Sequence, residues 1–399
     1  MSYFPISVIN YNKFDNNIIN IICNNLDSNN QTVFLSKTTF NYLNNIKKEI
    51  EKHQLEWDNI KKYVNPYEYI HTQIPDCKSC VSKIKPVSRS YYKLIEMINS
   101  LSILNGYENK NISTFHLAEG PGGFIEAISY LRQTNIHTTR DSYYGMTLIN
   151  EDDSNVPGWK KKYFDKNASI HLVKGATGNG DLFNPENIQY CYDKYNNSMD
   201  IITGDGGFDF SVDFNKQELL SVKLILAQIL YAIIMQKQKG YFIIKFFDIF
   251  YKPTCDMIFF LSFFYEKIYI MKPNTSRFAN SEKYIICKNF RDKTDKQELI
   301  HVFKPIIHKI KECSYITQFL DINLPNIFVS KIEEINSILG QQQLEYILTT
   351  LQLLESNTNS DKLEQLKQNN IQKCTTWCTK FNIPYHKIIQ QTNIFLERE

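Results

Sequence analysis

The central half of the chain alternates between apolar runs of strand length and amphipathic stretches of helix length. The apolar runs predict strands at 112–119, 142–148, 169–174, 200–205, 240–247, 267–272 and 283–289. The amphipathic stretches predict helices at 122–133, 216–238 and 253–265, and one at 88–102 with Ser88 as its N-cap. Such alternation is typical of parallel strands joined by right-handed crossovers and covered by helices on both faces. We therefore expect an α/β, doubly wound sheet.

The last two predicted strands are joined only by the short connection 273–282. A connection of this length suits a hairpin, because parallel strands need a longer crossover. The final strand is therefore expected to run antiparallel to its neighbours and to lie at an edge of the sheet, which would have about seven strands in all.

The flanks of this region have a different pattern. Residues 1–85 predict a mostly helical extension, residues 86–292 hold the sheet, and residues 293–399 predict a helical module with a linker at 356–361. Within the sheet region, the segment 219–235 is strongly apolar, but it contains Lys223 and Gln228 and is too short and interrupted for a membrane span. We expect a helix buried against the sheet and no membrane association.

Composition and charge set only broad limits on the function. The 399 residues are 43% hydrophobic and 22% charged, as in a globular protein with one full α/β domain and one or two smaller modules. The net charge of +3 does not by itself indicate a polyanionic partner. Residues 78–93 are locally basic, and residues 267–296 hold eight Lys or Arg against three acids. On charge alone, ordinary solvated faces are the preferred interpretation, and nucleic-acid surfaces the alternative.

Nine cysteines are scattered through the chain without a disulfide framework. Together with the expectation of no signal peptide, this favours a reducing, intracellular setting. Cys77 and Cys80 have the C-x-x-C spacing, while Cys374 and Cys378 are spaced more loosely. One proper pair and one loose pair match a four-cysteine zinc site poorly. We expect no metal.

The run from Phe115 to Ala127 holds the first chemical signal. A predicted strand leads through Glu119 into the turn Gly-Pro-Gly-Gly at 120–123, and a helix follows. A strand, a glycine turn and a helix in this order hold nucleotide-like ligands at the carboxyl edge of doubly wound sheets. The spacing is not that of the dinucleotide fingerprint, so the turn alone identifies no particular ligand.

Four charged residues are predicted to meet at the same edge. Asp205 and Lys245 lie at the ends of two predicted strands, Glu282 opens the last one, and Lys93 lies on the helix before the first. A desolvated lysine beside a second cation has a lowered pKa, and can accept a proton from an alcohol such as a ribose hydroxyl. A structural salt-bridge network fits this spacing equally well.

Several short motifs give the chain a family resemblance. They are 88–93 (SRSYYK), 117–124 (LAEGPGGF), 178–182 (GNGDL), 204–209 (GDGGFD) and 276–284 (SRFANSEKY), with 242–245 (FIIK) in the remaining gap. In these motifs and their order, the chain resembles the FtsJ-like, Rossmann-fold ribose 2′-O-methyltransferases, and among them the eukaryotic and viral mRNA cap methyltransferases. The resemblance covers about half of the chain, from 88 to 290.

The resemblance implies S-adenosylmethionine as the cofactor. Asp181 resembles the acid that contacts the adenine, and Asp205 lies beside the methyl donor. The other residues implied to receive the cofactor are Glu119, Gly120, Pro121, Gly122 and Gly123. The end of the second strand, 145–150, departs from many Rossmann methyltransferases because it has no acid for the cofactor ribose, and Glu151 or Asp152 would have to replace it.

The resemblance also implies a catalytic tetrad and an RNA substrate. Lys245 matches the general base, Lys93 and Glu282 orient and tune it, and Asp205 completes the tetrad. The residues expected to hold RNA phosphate are Arg89 and Arg277. Capped mRNA is the implied substrate, with capping or transcription proteins as partners. The alternatives are a ribosomal or transfer RNA ribose methyltransferase, and a non-catalytic RNA-binding subunit that keeps the fold.

Overall fold

A computed structural model describes residues 2–8, 14–24, 31–135, 140–150, 156–165, 167–207, 214–355 and 360–387. Its strands are β1 (Ser2–Ile6), β2 (Ile19–Asn24), β3 (Ser113–Leu117), β4 (Ser142–Met146), β5 (Ile170–Leu172), β6 (Met199–Gly204), β7 (Gln236–Phe246), β8 (Tyr265–Lys272), β9 (Lys283–Phe290) and β10 (Tyr315–Leu320). Its helices are α1 (Lys37–Glu51), α2 (Gln54–Val64), α3 (Ser90–Ser100), α4 (Gly123–Asn135), α5 (Lys161–Phe164), α6 (Pro185–Tyr195), α7 (Gln217–Met235), α8 (Lys252–Phe264), α9 (Lys296–Glu312), α10 (Asn326–Glu355) and α11 (Ser360–Lys380).

The main sheet has eight strands in the order β1-β8-β9-β7-β6-β3-β4-β5. Strands β7, β6, β3, β4 and β5 are mutually parallel. The chain runs outward from β3 through β4 to β5, then returns to build β6 and β7 on the other side of β3. The strand order thus reverses between β3 and β6, which is where open α/β sheets bind their ligands. The prediction of an α/β, doubly wound, Rossmann-like fold is confirmed.

The predicted hairpin is present, but its position in the sheet differs from the prediction. Strands β8 and β9 are antiparallel, with Met271 opposite Tyr284. However, β9 lies between β7 and β8 rather than at the edge. Its first five residues, Lys283 to Cys287, are all buried, so successive side chains on both faces of the strand are covered. The antiparallel edge strand is β1, which pairs with β8.

The two flanks contain strands as well as helices. Strand β1 belongs to the N-terminal flank, and β2 pairs with β10 from the C-terminal flank to form a second, two-stranded sheet. Trp377 of α11 reaches the core, where its Nε1 donates to Glu96 Oε2 of α3 at 3.2 Å. Of the predicted linker, residues 356–359 lie outside the described residues. The division at 85 and 292 stays a prediction.

Helix α7 accounts for the apolar segment noted in the sequence. Among the described residues it is the one helix long and apolar enough to cross a membrane, yet 89% of its apolar window is buried inside the protein. Its side chains form part of the main core with those of β6 and β7. Packing against the sheet therefore explains its composition.

The sequence prediction omitted helix α6. It begins with Pro185 at its first turn, and Asn184 is its N-cap, since the Asn184 side chain accepts the Glu186 N–H at 2.9 Å. An asparagine followed by proline is a recognised helix start. This helix-start signal was present in the sequence. The helix that follows is polar, so no apolar run drew attention to it.

Candidate active site

The carboxyl ends of β3, β6 and β7 meet at one rim of the sheet, and β9 begins there. Asp205 directly follows β6, and Lys245 lies near the end of β7. The antiparallel register places Lys245 opposite Tyr284 in β9, two residues after Glu282. Helix α3 contributes Lys93, which is 4% exposed. The fold thus brings the four charged residues to one place.

These four side chains form two close ion pairs. Lys93 Nζ lies 2.6 Å from Glu282 Oε1. Lys245 Nζ lies 3.3 Å from Asp205 Oδ1 and donates to the Asp205 backbone oxygen at 2.6 Å. Tyr284, which the sequence reasoning did not single out, donates its hydroxyl to Asp205 Oδ1 at 3.0 Å. A hydroxyl presented to Lys245 would therefore meet an amine already oriented by the aspartate.

The cluster is strongly coupled electrostatically. Burial alone would raise the pKa of Glu282, but the positive charges of Lys93 and Lys245 outweigh it and hold that pKa well below its usual range. Burial lowers the pKa of Lys93, and Glu282 opposes that shift. Glu282 therefore stays ionised and fixes Lys93 in place.

The glycine turn lies at the reversal point of the strand order. Gly122 has φ +110°, a conformation that side-chain-bearing residues rarely adopt. A Cβ on Gly120 would lie 1.9 Å from the backbone oxygen of Pro157. The segment after β4 thus covers the turn closely, and the turn has backbone without side chains at the carboxyl end of β3. Bare backbone at this point fits a nucleotide-like ligand.

Glu119 has a structural task in this turn. Its carboxylate accepts the backbone N–H groups of Phe124 at 2.5 Å and Ile125 at 3.4 Å, so it caps the start of α4. It is 2% exposed, and burial raises its pKa well above the usual value. A cofactor-binding role for Glu119 stays a prediction, and its capping contacts account for its position without one.

Asp181 lies on the loop that follows β5. Its Oδ1 accepts the Phe183 N–H at 2.9 Å, and its Oδ2 lies 3.8 Å from Lys311 Nζ. The loop is held against the end of β4, because a Cβ on Gly180 would lie 2.1 Å from the Thr147 oxygen. Asp181 therefore lies near the carboxyl end of β4, and its role in holding a cofactor stays a prediction. The two acids proposed as replacements at 151 and 152 lie outside the described residues.

The two predicted RNA-binding arginines differ in their surroundings. Arg89 is the N-cap residue of α3 and is close enough to Glu282 to lower its pKa. Arg277 is held by Glu68, with Nε 2.9 Å from Oε2 and Nη2 2.5 Å from Oε1. Since Glu68 already engages one edge of the guanidinium, through Nε and Nη2, fewer donors of Arg277 remain for a phosphate.

This buried ion pair leads to a pH-dependent prediction. Burial would raise the pKa of Glu68, but the hydrogen bonds and charge of Arg277 lower it from 4.5 to about 2. A lowered folded-state pKa contributes stability that is present above pH 4.5 and is lost as the pH falls towards 2. Glu68→Gln should therefore lose about 3 kcal/mol at pH 7 and much less near pH 2. Urea unfolding at several pH values measures this, and a difference that is independent of pH would contradict it.

Tyr91 and Tyr92 of α3 are at most 1% exposed and belong to the core, so their rings are not available for stacking on an RNA base. Within the described ranges, no three His, Cys, Asp or Glu side chains lie close enough together to hold a metal ion.

Comparison with known proteins identifies the class of this site. Residues 86–290 match the model of the FtsJ-like methyltransferases. The chain belongs to this methyltransferase family. Membership of the family implies S-adenosylmethionine as the methyl donor.

The relatives found among named proteins include cap methyltransferases. The cap-specific mRNA (nucleoside-2′-O-)-methyltransferase 1 of Danio rerio is 32% identical over 181 residues, covering 44% of this chain and 21% of that protein. The protein of the same name in Trypanosoma brucei brucei is 28% identical over 291 residues, covering 69% and 76%. The probable methyltransferase EP424R of African swine fever virus is 28% identical over 273 residues, covering 65% and 62%. The chain thus spans well under two thirds of the zebrafish relative.

The solved structures with a related fold are more distant. Human methyltransferase-like protein 13, in complex with SAH, aligns with 55% of this chain and 92% of its own chain, at 9% identity and a TM-score of 0.35.

Proposed function

We propose that this protein is an S-adenosylmethionine-dependent RNA methyltransferase that modifies the ribose 2′-hydroxyl of cap-proximal nucleotides of mRNA. The observation that carries the proposal is the cluster of Lys93, Asp205, Lys245 and Glu282 beside the glycine turn. Two lysines and two carboxylates at this rim suit proton removal from an alcohol next to a bound donor.

The proposed roles follow from the contacts. The turn at 120–123, Asp181 and Asp205 would hold the cofactor, and S-adenosylmethionine supplies an electrophilic methyl group when bound. Lys245 accepts the proton of the ribose hydroxyl while Asp205 orients its amine from 3.3 Å. Glu282 and Lys93 hold the surrounding charge in place. Positioning of the hydroxyl contributes much of the rate, as in any reaction between two aligned groups.

The choice of capped mRNA rests on the names of relatives in animals and a trypanosome. Arg89 is the residue proposed to hold an RNA phosphate, and its position at the start of α3, close enough to Glu282 to lower its pKa, supports this. Capping or transcription proteins are the proposed partners. The alternative substrates are ribosomal or transfer RNA, and the alternative function is a non-catalytic RNA-binding subunit.

Two measurements test the proposal. Calorimetry with S-adenosylmethionine or its demethylated product separates an enzyme from a non-catalytic subunit, since a folded protein that binds neither contradicts the proposal. Transfer from labelled donor to short capped and uncapped RNAs, and to ribosomal and transfer RNA, then tests the substrate. We expect transfer to capped RNA, and transfer restricted to structured ribosomal or transfer RNA would favour that alternative.

The glycine turn gives a third prediction. Gly120→Ala should weaken binding of the cofactor product by at least tenfold, because its Cβ would overlap the Pro157 backbone oxygen, which cannot move independently of the chain. Gly158→Ala, where a Cβ meets nothing within 4 Å, is the matched control and should bind normally. Calorimetry on both variants checks this. Equal affinities would show that the turn tolerates a side chain and does not contact the cofactor closely.

A further inference from the structure

A buried lysine that the roles proposed above do not use holds the connection between β8 and β9. Lys272 is the last residue of β8 and is 5% exposed. Its Nζ donates to the backbone oxygen and to the side-chain Oδ1 of Asn280, each at 2.6 Å, and to the backbone oxygen of Glu282 at 2.7 Å. The residue before the loop 273–282 thus fixes the end of that loop, where Glu282 lies.

The number of acceptors indicates that this lysine is charged. An ammonium has three N–H groups to donate, and the three oxygens of the loop match them. Burial lowers the pKa of Lys272, and the charge of Glu282 opposes that shift. Burying a charged amine is costly, and an apolar side chain would fill the same space without this cost. The lysine therefore has a task in holding the loop.

The start of the same loop is held by the helix that carries Lys93. Glu96 of α3 accepts the backbone N–H groups of residues 274 and 275, at 2.8 Å and 3.1 Å. Lys93 lies one turn earlier on α3, and its Nζ lies 2.6 Å from Glu282 Oε1. Helix α3 thus fixes the start of the loop, and Lys272 fixes its end. The position of the Glu282 carboxylate beside Lys93 depends on both anchors.

We propose that Lys272 is a positioning residue of the candidate active site, which holds the end of the β8–β9 loop so that the Glu282 carboxylate stays in contact with Lys93. In this role Lys272 acts through Glu282 and touches neither RNA nor cofactor. The inference rests on the proposed function, since the position of Glu282 affects the rate only if the cluster activates a hydroxyl. A lysine that only braced the fold would change the stability of the protein but not the rate of the folded enzyme.

A double-mutant cycle tests this proposal, because residues that act through one another have non-additive effects. Single-turnover methyl transfer to a short capped RNA, with RNA and cofactor saturating, is measured for the full-length protein, Lys272→Met, Glu282→Gln and the double variant. We expect Lys272→Met alone to lower the rate about 10- to 100-fold, since a displacement of about 1 Å near the reacting groups can cost about 100-fold. In the Glu282→Gln background, the same change should lower the rate by less than about twofold.

Lys296→Met is the control, because it makes the same change at a lysine that is 4% exposed. Lys296 Nζ donates to the backbone oxygen of Gln236 at 2.5 Å, at the opposite end of β7 from Lys245. This variant should lose stability in urea unfolding but keep the wild-type rate. Lys272→Gln retains an N–H donor, and its rate should lie between those of Lys272→Met and the wild-type protein.

Hydrogen–deuterium exchange gives a measurement that does not depend on activity. Peptides covering residues 276–284 should exchange on the order of tenfold faster in Lys272→Met, because one hydrogen bond to a charged group accounts for a factor of that size. Exchange of the same peptides should be unchanged in Lys296→Met.

The outcomes separate this inference from the proposed function. Three results would overturn the positioning role: an unchanged rate in a folded Lys272 variant, an equal loss of rate with and without Glu282→Gln, or failure of both Lys272 variants to fold. If the wild-type protein transfers no methyl group, the proposed function fails. The exchange of residues 276–284 then decides by itself whether Lys272 anchors the loop, and unchanged exchange overturns that as well.

Discussion

Replacing Lys245 with alanine is expected to lower the rate of methyl transfer about 100- to 10,000-fold, the usual contribution of a general base. Lys245 is the lysine that Asp205 orients, by an ion pair at 3.3 Å and by a hydrogen bond from Nζ to its backbone oxygen at 2.6 Å. Its side chain does not belong to the glycine turn. The affinity for the demethylated cofactor should therefore stay within about twofold of wild type.

The matched control is Lys267→Ala, which removes an exposed lysine of β8, two strands away from β7 in the sheet. It should leave both the rate and the affinity unchanged. Single-turnover transfer to RNA gives the rate, and calorimetry gives the affinity. Substantial transfer by the Lys245 variant would remove this residue from the role of base and direct attention to Lys93.

Replacing Arg132 with methionine is expected to lower the free energy of unfolding by about 3–5 kcal/mol, the usual effect of removing one partner of a buried ion pair. Arg132 is 2% exposed and belongs to α4, the helix that starts at the glycine turn. Its Nε lies 2.7 Å from Asp141 Oδ2, and its terminal nitrogens donate to the backbone oxygens of Tyr107 and Lys110. The variant leaves these acceptors without their donor.

The control for this prediction is an exposed pair on the same sheet. Lys237 Nζ lies 3.1 Å from Asp200 Oδ1, but the lysine side chain is 54% exposed. Lys237→Ala should therefore lower the free energy of unfolding by at most about 1 kcal/mol. Urea unfolding of both variants measures the difference. If the two variants lost the same free energy of unfolding, burial of the ion pair between Arg132 and Asp141 would add no stability beyond that of an exposed pair.

The parts of the site that the sequence predicted are those set by strand direction. Asp205, Lys245 and Glu282 each lie at a strand end, and parallel strands with one antiparallel return bring such ends to one rim. The prediction needed only the type and direction of each strand. It did not need the order of the strands, and this is why the wrong position assigned to β9 left the cluster intact.

The parts that the sequence did not predict depend on contacts between distant segments. Strand β1 has five residues, including Pro5, and only its pairing with β8 makes it a strand. One cleft is lined by Trp57, Phe278 and Tyr346, which lie far apart in the sequence and share no local pattern. Glu119 has a signal that could have been used, because an acid just before a helix commonly caps it.

The most direct test of the central claim is methyl transfer to matched short capped RNAs that differ only in the 2′-oxygen of their cap-proximal nucleotides. One carries ribose at the cap-proximal nucleotides, and the other carries 2′-deoxyribose there. The account predicts labelled methyl on the first RNA only, protected in nuclease mapping as a 2′-O-methyl group and lost in the Lys245→Ala variant. Equal transfer to the deoxy RNA, or transfer to a base, would contradict the claim that this site activates a ribose 2′-hydroxyl.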